Sequence, residues 1–360
     1  MNEIVPFAHY DVLQCDVCGM MFAGNIVETM PLPVYYEQMS KYETAAYKAL
    51  TESGDVRQGF VRLLLADVKP GDAVLEVGCG EGSLLHFLKE YGVQNLVGLE
   101  PSRKNCETIQ RCWGIRAIPG ALGEEIPQLA EQKFDVIILE GVLEHLLNVQ
   151  ENLKQALGYL AADGKICFVV PDLATFPEQN DFYQQFSVEH LNYFSMQSLT
   201  NLMRRFGMRC IRHGSAGEAF YTLWQRIDNA MTTPPPVMQF DALGAASMRR
   251  YLEQSQAQGA KIRKKIAPYK GQSVYLWGAG THTSTIFQLG LTDGVRVAAI
   301  IDSNVKYQGR AIYGISVIAP EELQTRPVLP IVISSRIAQE AICEQITETM
   351  KLPHEVVRLY

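Results

Sequence analysis

Val74-Leu75-Glu76-Val77-Gly78-Cys79-Gly80-Glu81-Gly82-Ser83-Leu84-Leu85 is the stretch on which the fold turns. Its apolar start predicts a short buried strand, and its end predicts the first turn of a helix. Between them, glycines let the backbone take positive φ and let a ligand come close. The helix start adds N–H groups that have no partner within the helix. The glycines are spaced two and two, not the two and three of a dinucleotide fingerprint. Glu76, just before the turn, would repel a phosphate and welcome an ammonium group. Eighteen residues beyond Gly82, Glu100 ends a second predicted strand, residues 96–99. A carboxylate there can accept both hydroxyls of a ribose. The ligand implied is a nucleoside with an amino-acid tail.

Further apolar runs at residues 136–139 and 166–170 read as buried strands and alternate with amphipathic stretches over residues 67–215. That rhythm predicts a parallel α/β sheet. The last of these strands runs into Pro171-Asp172, and the next helix starts near Ser195, a good N-cap residue. Leu199, Leu202, Met203 and Phe206 form its apolar face, with Gly207 as the stop. Residues 171–194 are therefore a connection of 24 residues. Such length usually marks function or disorder, and this connection leaves the carboxyl end of a strand, where open α/β sheets place their ligands.

The acidic residue, the Gly-x-Gly-x-Gly turn, the acidic strand end and Phe134-Asp135-Val136-Ile137-Ile138-Leu139-Glu140 together resemble class I S-adenosylmethionine (SAM) methyltransferases. Gly141-Val142-Leu143-Glu144-His145-Leu146 resembles that family's continuation. The resemblance implies SAM as cofactor, held by Glu76, Gly78, Cys79, Gly80, Glu100, Pro101 and Glu140, with the adenine edge at Ala121 and Leu122. Asp135 and Glu144 read as supports of the fold, and His145 as a capping or core residue at a helix start.

Glu189-His190 ahead of Phe194-Ser195 narrows the resemblance to C-methyltransferases of nucleotide-linked keto-sugars. Those proteins have an N-terminal zinc-binding lobe, a SAM domain and a C-terminal Rossmann-like domain. The resemblance implies four segments here: an N-terminal lobe over 1–66, a SAM domain over 67–215, a connecting segment with a helix over 216–268, and a smaller Rossmann-like α/β domain over 269–360. It implies His190 as a base that removes a proton next to the sugar ketone, assisted by Glu189. The family often has a tyrosine two residues before the glutamate; Ser187 stands there instead. Tyr183 and Tyr193 are nearby but out of register, and Tyr35 or Tyr36 of the N-terminal lobe could reach the site instead; Tyr35, Tyr36 and the nearby Tyr193 are the candidates to face the substrate. O-methylation of a sugar or small metabolite, with His190 deprotonating a hydroxyl, is a second reading. A catalytically silent binding or scaffold protein on the same fold is a third.

Cys15-x-x-Cys18-Gly19 has the form of half a zinc knuckle, but a structural zinc needs four ligands. No second Cys pair stands in the first 78 residues, and His9 is the one nearby candidate. The pair is a degenerate lobe without metal, a zinc site completed by His9 and another group, or two unconnected thiols; zinc is not the favoured reading. Val274-Tyr275-Leu276-Trp277-Gly278-Ala279-Gly280-Thr281 repeats the strand–turn–helix pattern, and Asp302 repeats the acidic strand end. This resembles the small Rossmann-like domains of sugar-nucleotide enzymes. It implies either a diphosphate held by Gly278, Gly280, Thr281 and Arg336, or a structural or dimerising domain that has lost its ligand.

The chain's 360 residues carry 32 Lys and Arg against 39 Asp and Glu, a net charge of −7. That balance disfavours nucleic acid as a partner, and a small nucleotide-linked sugar is the partner expected. No apolar run approaches the ~20 residues of a membrane span, and the start lacks a signal-peptide pattern. Eight cysteines in such a chain suit a reducing cytoplasm.

Overall fold

The computed structural model describes residues 7–29, 31–38, 55–179, 181–186, 189–227 and 237–360. Ser187 and the expected break at residues 232–236 lie outside them, as does the side chain of His9. The chain divides into two units. One gathers residues 5–179 and 188–249; the other gathers residues 180–187 and 250–360.

The first unit opens with a hairpin, β1 (Phe7–Gln14) and β2 (Met21–Glu28), whose turn carries Cys15 and Cys18. The expected glycine segment follows as β3 (Ala73–Val77) and a helix, Ser83–Glu90. Next come β4 (Asn95–Glu100), β5 (Arg116–Pro119), β6 (Phe134–Glu140) and β7 (Leu160–Pro171). The short β8 (Asn192–Tyr193) joins the N-terminal hairpin rather than the main sheet. A second hairpin, β9 (Met208–Ala216) and β10 (Ala219–Arg226), completes the unit.

The main sheet has the order β5-β4-β3-β6-β7-β10-β9. Its first five strands are parallel, and β10 and β9 add antiparallel pairs. The sheet is thus mixed. The boundary expected at residue 215 falls inside a hairpin, because β10 pairs with β7 and keeps the chain in the sheet.

Central strands bury both faces. Leu75, Val77, Ile137 and Leu139 enter one apolar cluster, and Val74, Val136 and Ile138 enter the other. That is why these strands read as continuous apolar runs rather than alternating ones. Each fully buried Val, Leu, Ile or Phe contributes ~1.5–3 kcal/mol. Asp135, at the exposed foot of β6, accepts the Ala73 N–H at 2.9 Å and so supports the sheet, as expected.

The second unit holds a sheet in which Ser273–Trp277, Arg296–Ile301, Ile331–Ile333 and Val356–Arg358 run parallel, with Ile315–Ile318 beside Arg296–Ile301. The helix Ala242–Ile266 covers the Gln- and Lys-rich stretch. Residues 181–186, from the long connection after β7, belong to this unit. Phe182 is buried in its core with Ile262 and Ile266, and the Tyr251 hydroxyl donates to Asp181 at 2.8 Å. No described helix is long and apolar enough to cross a membrane.

Candidate active site

The glycine turn is built as its composition demands. Gly78 has φ 67° and donates its N–H to Leu99 O at 2.7 Å, tying the turn to the end of β4. A Cβ at Gly78 would stand 2.5 Å from Val142 Cγ2, so a larger residue needs Val142 to shift. Glu100 is buried and braces the same turn. Its Oε2 accepts the Gly80 N–H at 2.9 Å, and its Oε1 accepts the Ser102 N–H at 3.0 Å. Ser102 then caps the helix Arg103–Trp113 by accepting from the Asn105 N–H.

Above the turn lies a cavity of about 930 Å³. All nine residues expected to hold the cofactor line it: Glu76, Gly78, Cys79, Gly80, Glu100, Pro101, Ala121, Leu122 and Glu140. Two buried carboxylates, Glu76 and Glu100, with a glycine turn between them give a donor and acceptor set that fits an ammonium group and a ribose. A pyrophosphate would meet two negative charges.

His190 and Tyr36 line the same cavity. Their placement depends on the N-terminal hairpin. Met21 and Phe22 pair with Tyr193 and Asn192, and Ala23 N–H donates to Leu191 O at 2.7 Å. The end of the long connection is therefore a strand of that small sheet, not a free loop. Ser195 caps the helix Met196–Arg205, as expected, and its hydroxyl also donates to the buried Asp241 at 2.5 Å. Glu189 is buried, and the Tyr35 hydroxyl donates to its Oε1 at 2.6 Å.

His145 is buried, in keeping with a core position, and it also borders the cavity. It sits in a 3₁₀ turn, Leu143–His145, at the carboxyl end of β6. Its Nδ1 lies 2.8 Å from the Glu189 carbonyl and 3.1 Å from the Tyr36 hydroxyl. A carbonyl only accepts, so Nδ1 carries the hydrogen. In the neutral ring Nε2 then holds the lone pair, 3.8 Å from Glu144 Oε1. The His145 and His190 rings meet edge to face with centroids 4.9 Å apart. Glu144 also lines the cavity, and burial pushes its carboxyl up to about 8. The signal available in the sequence was position: both residues follow β6 at the end of the sheet where ligands bind.

Tyr193 is set apart from the cavity. It is 2% exposed, packs edge to face on Phe176, and its hydroxyl lies 3.4 Å from that of Tyr10. Tyr35 likewise acts on Glu189 from a buried position. Cys15 and Cys18 occupy a tight turn in which the Cys15 N–H donates to Met20 O and the Gly19 N–H to Cys15 O, each at 2.8 Å. Backbone N–H groups of Cys18 and Val17 lower the Cys15 thiol, while burial raises that of Cys18. Among the described residues, no group of three potential metal ligands includes either cysteine.

In the second unit the glycine turn is braced as in the first. Asp302 Oδ2 accepts the Ala279 N–H at 2.7 Å, as Glu100 accepts that of Gly80. Gly280 precedes the helix Thr281–Gln288, which Thr281 opens. The Thr283 and Ser334 hydroxyls lie 2.6 Å apart. Arg336 follows the strand Ile331–Ile333, and its charge, after burial, holds His282 down to about 4.

Residues 51–213 match the family described as a methyltransferase domain, and residues 271–357 match the family described as C2185-like, N-terminal. The C-methyltransferase NovU of Streptomyces niveus is 26% identical over 204 residues, 56% of this chain and 47% of its own. N-methyltransferase 4 of Papaver somniferum is 29% identical over 111 residues, 29% of this chain and 31% of its own. The chain thus spans about half the length of the first relative and a third of the second. The CcbJ methyltransferase from Streptomyces caelestis is 14% identical in sequence; the likeness covers 53% of this chain and 97% of that one, with a TM-score of 0.43.

Proposed function

We propose that this chain, which carries a SAM-dependent methyltransferase domain with the class I α/β fold, methylates a nucleotide-linked keto-sugar at carbon. The observation that carries the reading is the cavity itself. It joins Glu76 and Glu100, suited to an amino-acid tail and a ribose, to the imidazole of His190. The name of the relative NovU, a C-methyltransferase, favours carbon as the acceptor.

SAM, when bound, supplies a sulfonium methyl as the electrophile. The residues of this chain supply position and proton transfer. Glu100 and the Gly78–Gly80 turn hold the nucleoside, and Glu76 meets the ammonium. His190 takes the proton from the carbon next to the ketone, as a neutral imidazole can near pH 7. Glu189, held by Tyr35, fixes the backbone carbonyl that orients His145. The Tyr36 hydroxyl, beside His145, is placed to donate to the oxyanion that develops on the ketone oxygen. The second unit's Gly278–Gly280 turn, Thr281 and Arg336 are assigned, by themselves, to a diphosphate.

Calorimetry tests both halves. S-adenosylhomocysteine is titrated first, then dTDP-, GDP-, CDP- and UDP-sugars on the saturated protein. Binding of the first and then of one sugar nucleotide supports the reading. Hydrogen exchange from D2O at the carbon next to the ketone, without SAM, is expected and is lost in His190→Ala. Turnover without such exchange moves the methyl to oxygen. No binding of S-adenosylhomocysteine overturns the proposal.

A further inference from the structure

We propose that Glu144, His145 and His190 form a binding site for one divalent transition-metal ion of the zinc class, and that the ion, once bound, blocks methyl transfer. Each residue offers one ligand atom, and the three atoms lie within 4.8 Å of one another. Glu144 is 4% exposed, and its Oε2 has no hydrogen-bond partner among the described residues. A buried carboxylate oxygen left unsatisfied asks for an explanation, and a bound cation is one.

The other two ligands are set up for the same task. The Nδ1 hydrogen of His145 goes to the Glu189 carbonyl at 2.8 Å. Such an outer hydrogen bond fixes the ring and leaves Nε2 as the donor atom, as in most histidine metal ligands. Glu144 Oε1 faces that nitrogen at 3.8 Å. The segments that carry the ligands are tied to each other. Leu191 N–H donates to Glu144 O at 2.7 Å, and the Asn192 side chain donates to Leu146 O at 2.7 Å. Two imidazoles and one carboxylate suit zinc, cobalt or iron(II) rather than magnesium, which prefers oxygen ligands.

All three side chains border the cavity, so the remaining coordination positions face it. The inhibitory role rests on the reading of His190 as base: the lone pair that takes the proton is the one the ion takes. No covalent bond of the substrate changes in this step.

The test uses the full chain, stripped with a chelator that is then dialysed away, and titrated with Co2+. One equivalent is expected, seen as visible absorption of cobalt in a low-symmetry nitrogen and oxygen site and displaced by Zn2+. Glu144→Gln and His145→Gln, which remove direct ligands, should each weaken it by more than the roughly 10–100-fold that loss of an outer-shell partner costs. The Cys15→Ser, Cys18→Ser double variant should leave it unchanged. S-adenosylhomocysteine binding of the variants reports that they are folded. One equivalent of Zn2+ should abolish exchange at the substrate carbon. No Co2+ binding, binding that survives both ligand variants, or a sulfur-to-cobalt band that vanishes with the cysteines overturns the site. A bound ion with undiminished exchange overturns its inhibitory role. A chain that binds Co2+ as expected but shows no exchange with any sugar, with or without metal, refutes the sugar reading and leaves the site standing.

Discussion

Replacing Glu100 separates a bracing role from a ligand-binding one. Its carboxylate accepts two backbone N–H groups, from Gly80 and Ser102, and borders the cavity on the side of the glycine turn. A hydrogen bond to a charged group is worth about 1.5–3 kcal/mol. One ribose hydroxyl lost is therefore about 10- to 150-fold in affinity for S-adenosylhomocysteine. Glu100→Gln keeps one acceptor oxygen and should lose about tenfold. Glu100→Ala keeps none and should lose about 100-fold or more, together with about 1–3 kcal/mol of stability from the stranded Ser102 N–H. Calorimetry with S-adenosylhomocysteine and its 2′-deoxy analogue distinguishes the two losses. The wild type should penalise the deoxy compound, and Glu100→Ala should bind both alike. If the deoxy penalty persists in full in Glu100→Ala, Glu100 only braces the turn, and the assignment of the ribose to it is refuted. An affinity for S-adenosylhomocysteine within twofold of wild type would refute it as well.

Other perturbations bear on separate parts of the molecule. Gly78→Ala places a Cβ 2.5 Å from Val142 at a backbone φ of 67°; strain of about 1–3 kcal/mol should lower the melting temperature and weaken S-adenosylhomocysteine binding by about tenfold or more. Tyr35→Phe removes the donor 2.6 Å from buried Glu189 and should cost about 1.5–3 kcal/mol, read from the urea midpoint; an unchanged midpoint would show that Glu189 does not depend on it. His282 is held down to about 4 by burial, then by the Arg336 charge, against a smaller opposing pull from Asp181; its Nδ1 meets the Tyr360 hydroxyl at 2.9 Å. The unfolded chain takes up this proton near 6.5, so stability is full above that pH and falls as pH drops towards 4. With solvent screening the loss is about 1–2 kcal/mol. His282→Gln should shrink the difference between denaturation curves at neutral and acid pH, and an unaltered difference would place the titration elsewhere.

Much of the first unit was legible because its signals are local. A strand buried on both faces shows as an apolar run, which is why Ala73–Val77 and Phe134–Glu140 stand out without alignment. The glycine turn and Glu100 are linked by neighbouring strands, so spacing along the chain carries the relation between them. Ser195 is recognisable as a cap because a helix start needs an acceptor within a few residues. Tyr193 shows the opposite case: its residue type suggested a site, while its pairing in the small sheet turned the ring into the core.

The sequence by itself determined the α/β alternation, the glycine turn with its two carboxylates, and the histidine placed within a long connection, since each is written in residues close together. Only the tertiary structure decided what surrounds that histidine. Tyr35 reaches Glu189 across 154 positions, Tyr36 reaches His145 across 109, and His145 meets Glu189 across 44. No periodicity or propensity encodes such meetings. They follow from which strands pair and which segments those pairs carry, and that is settled when the whole chain packs.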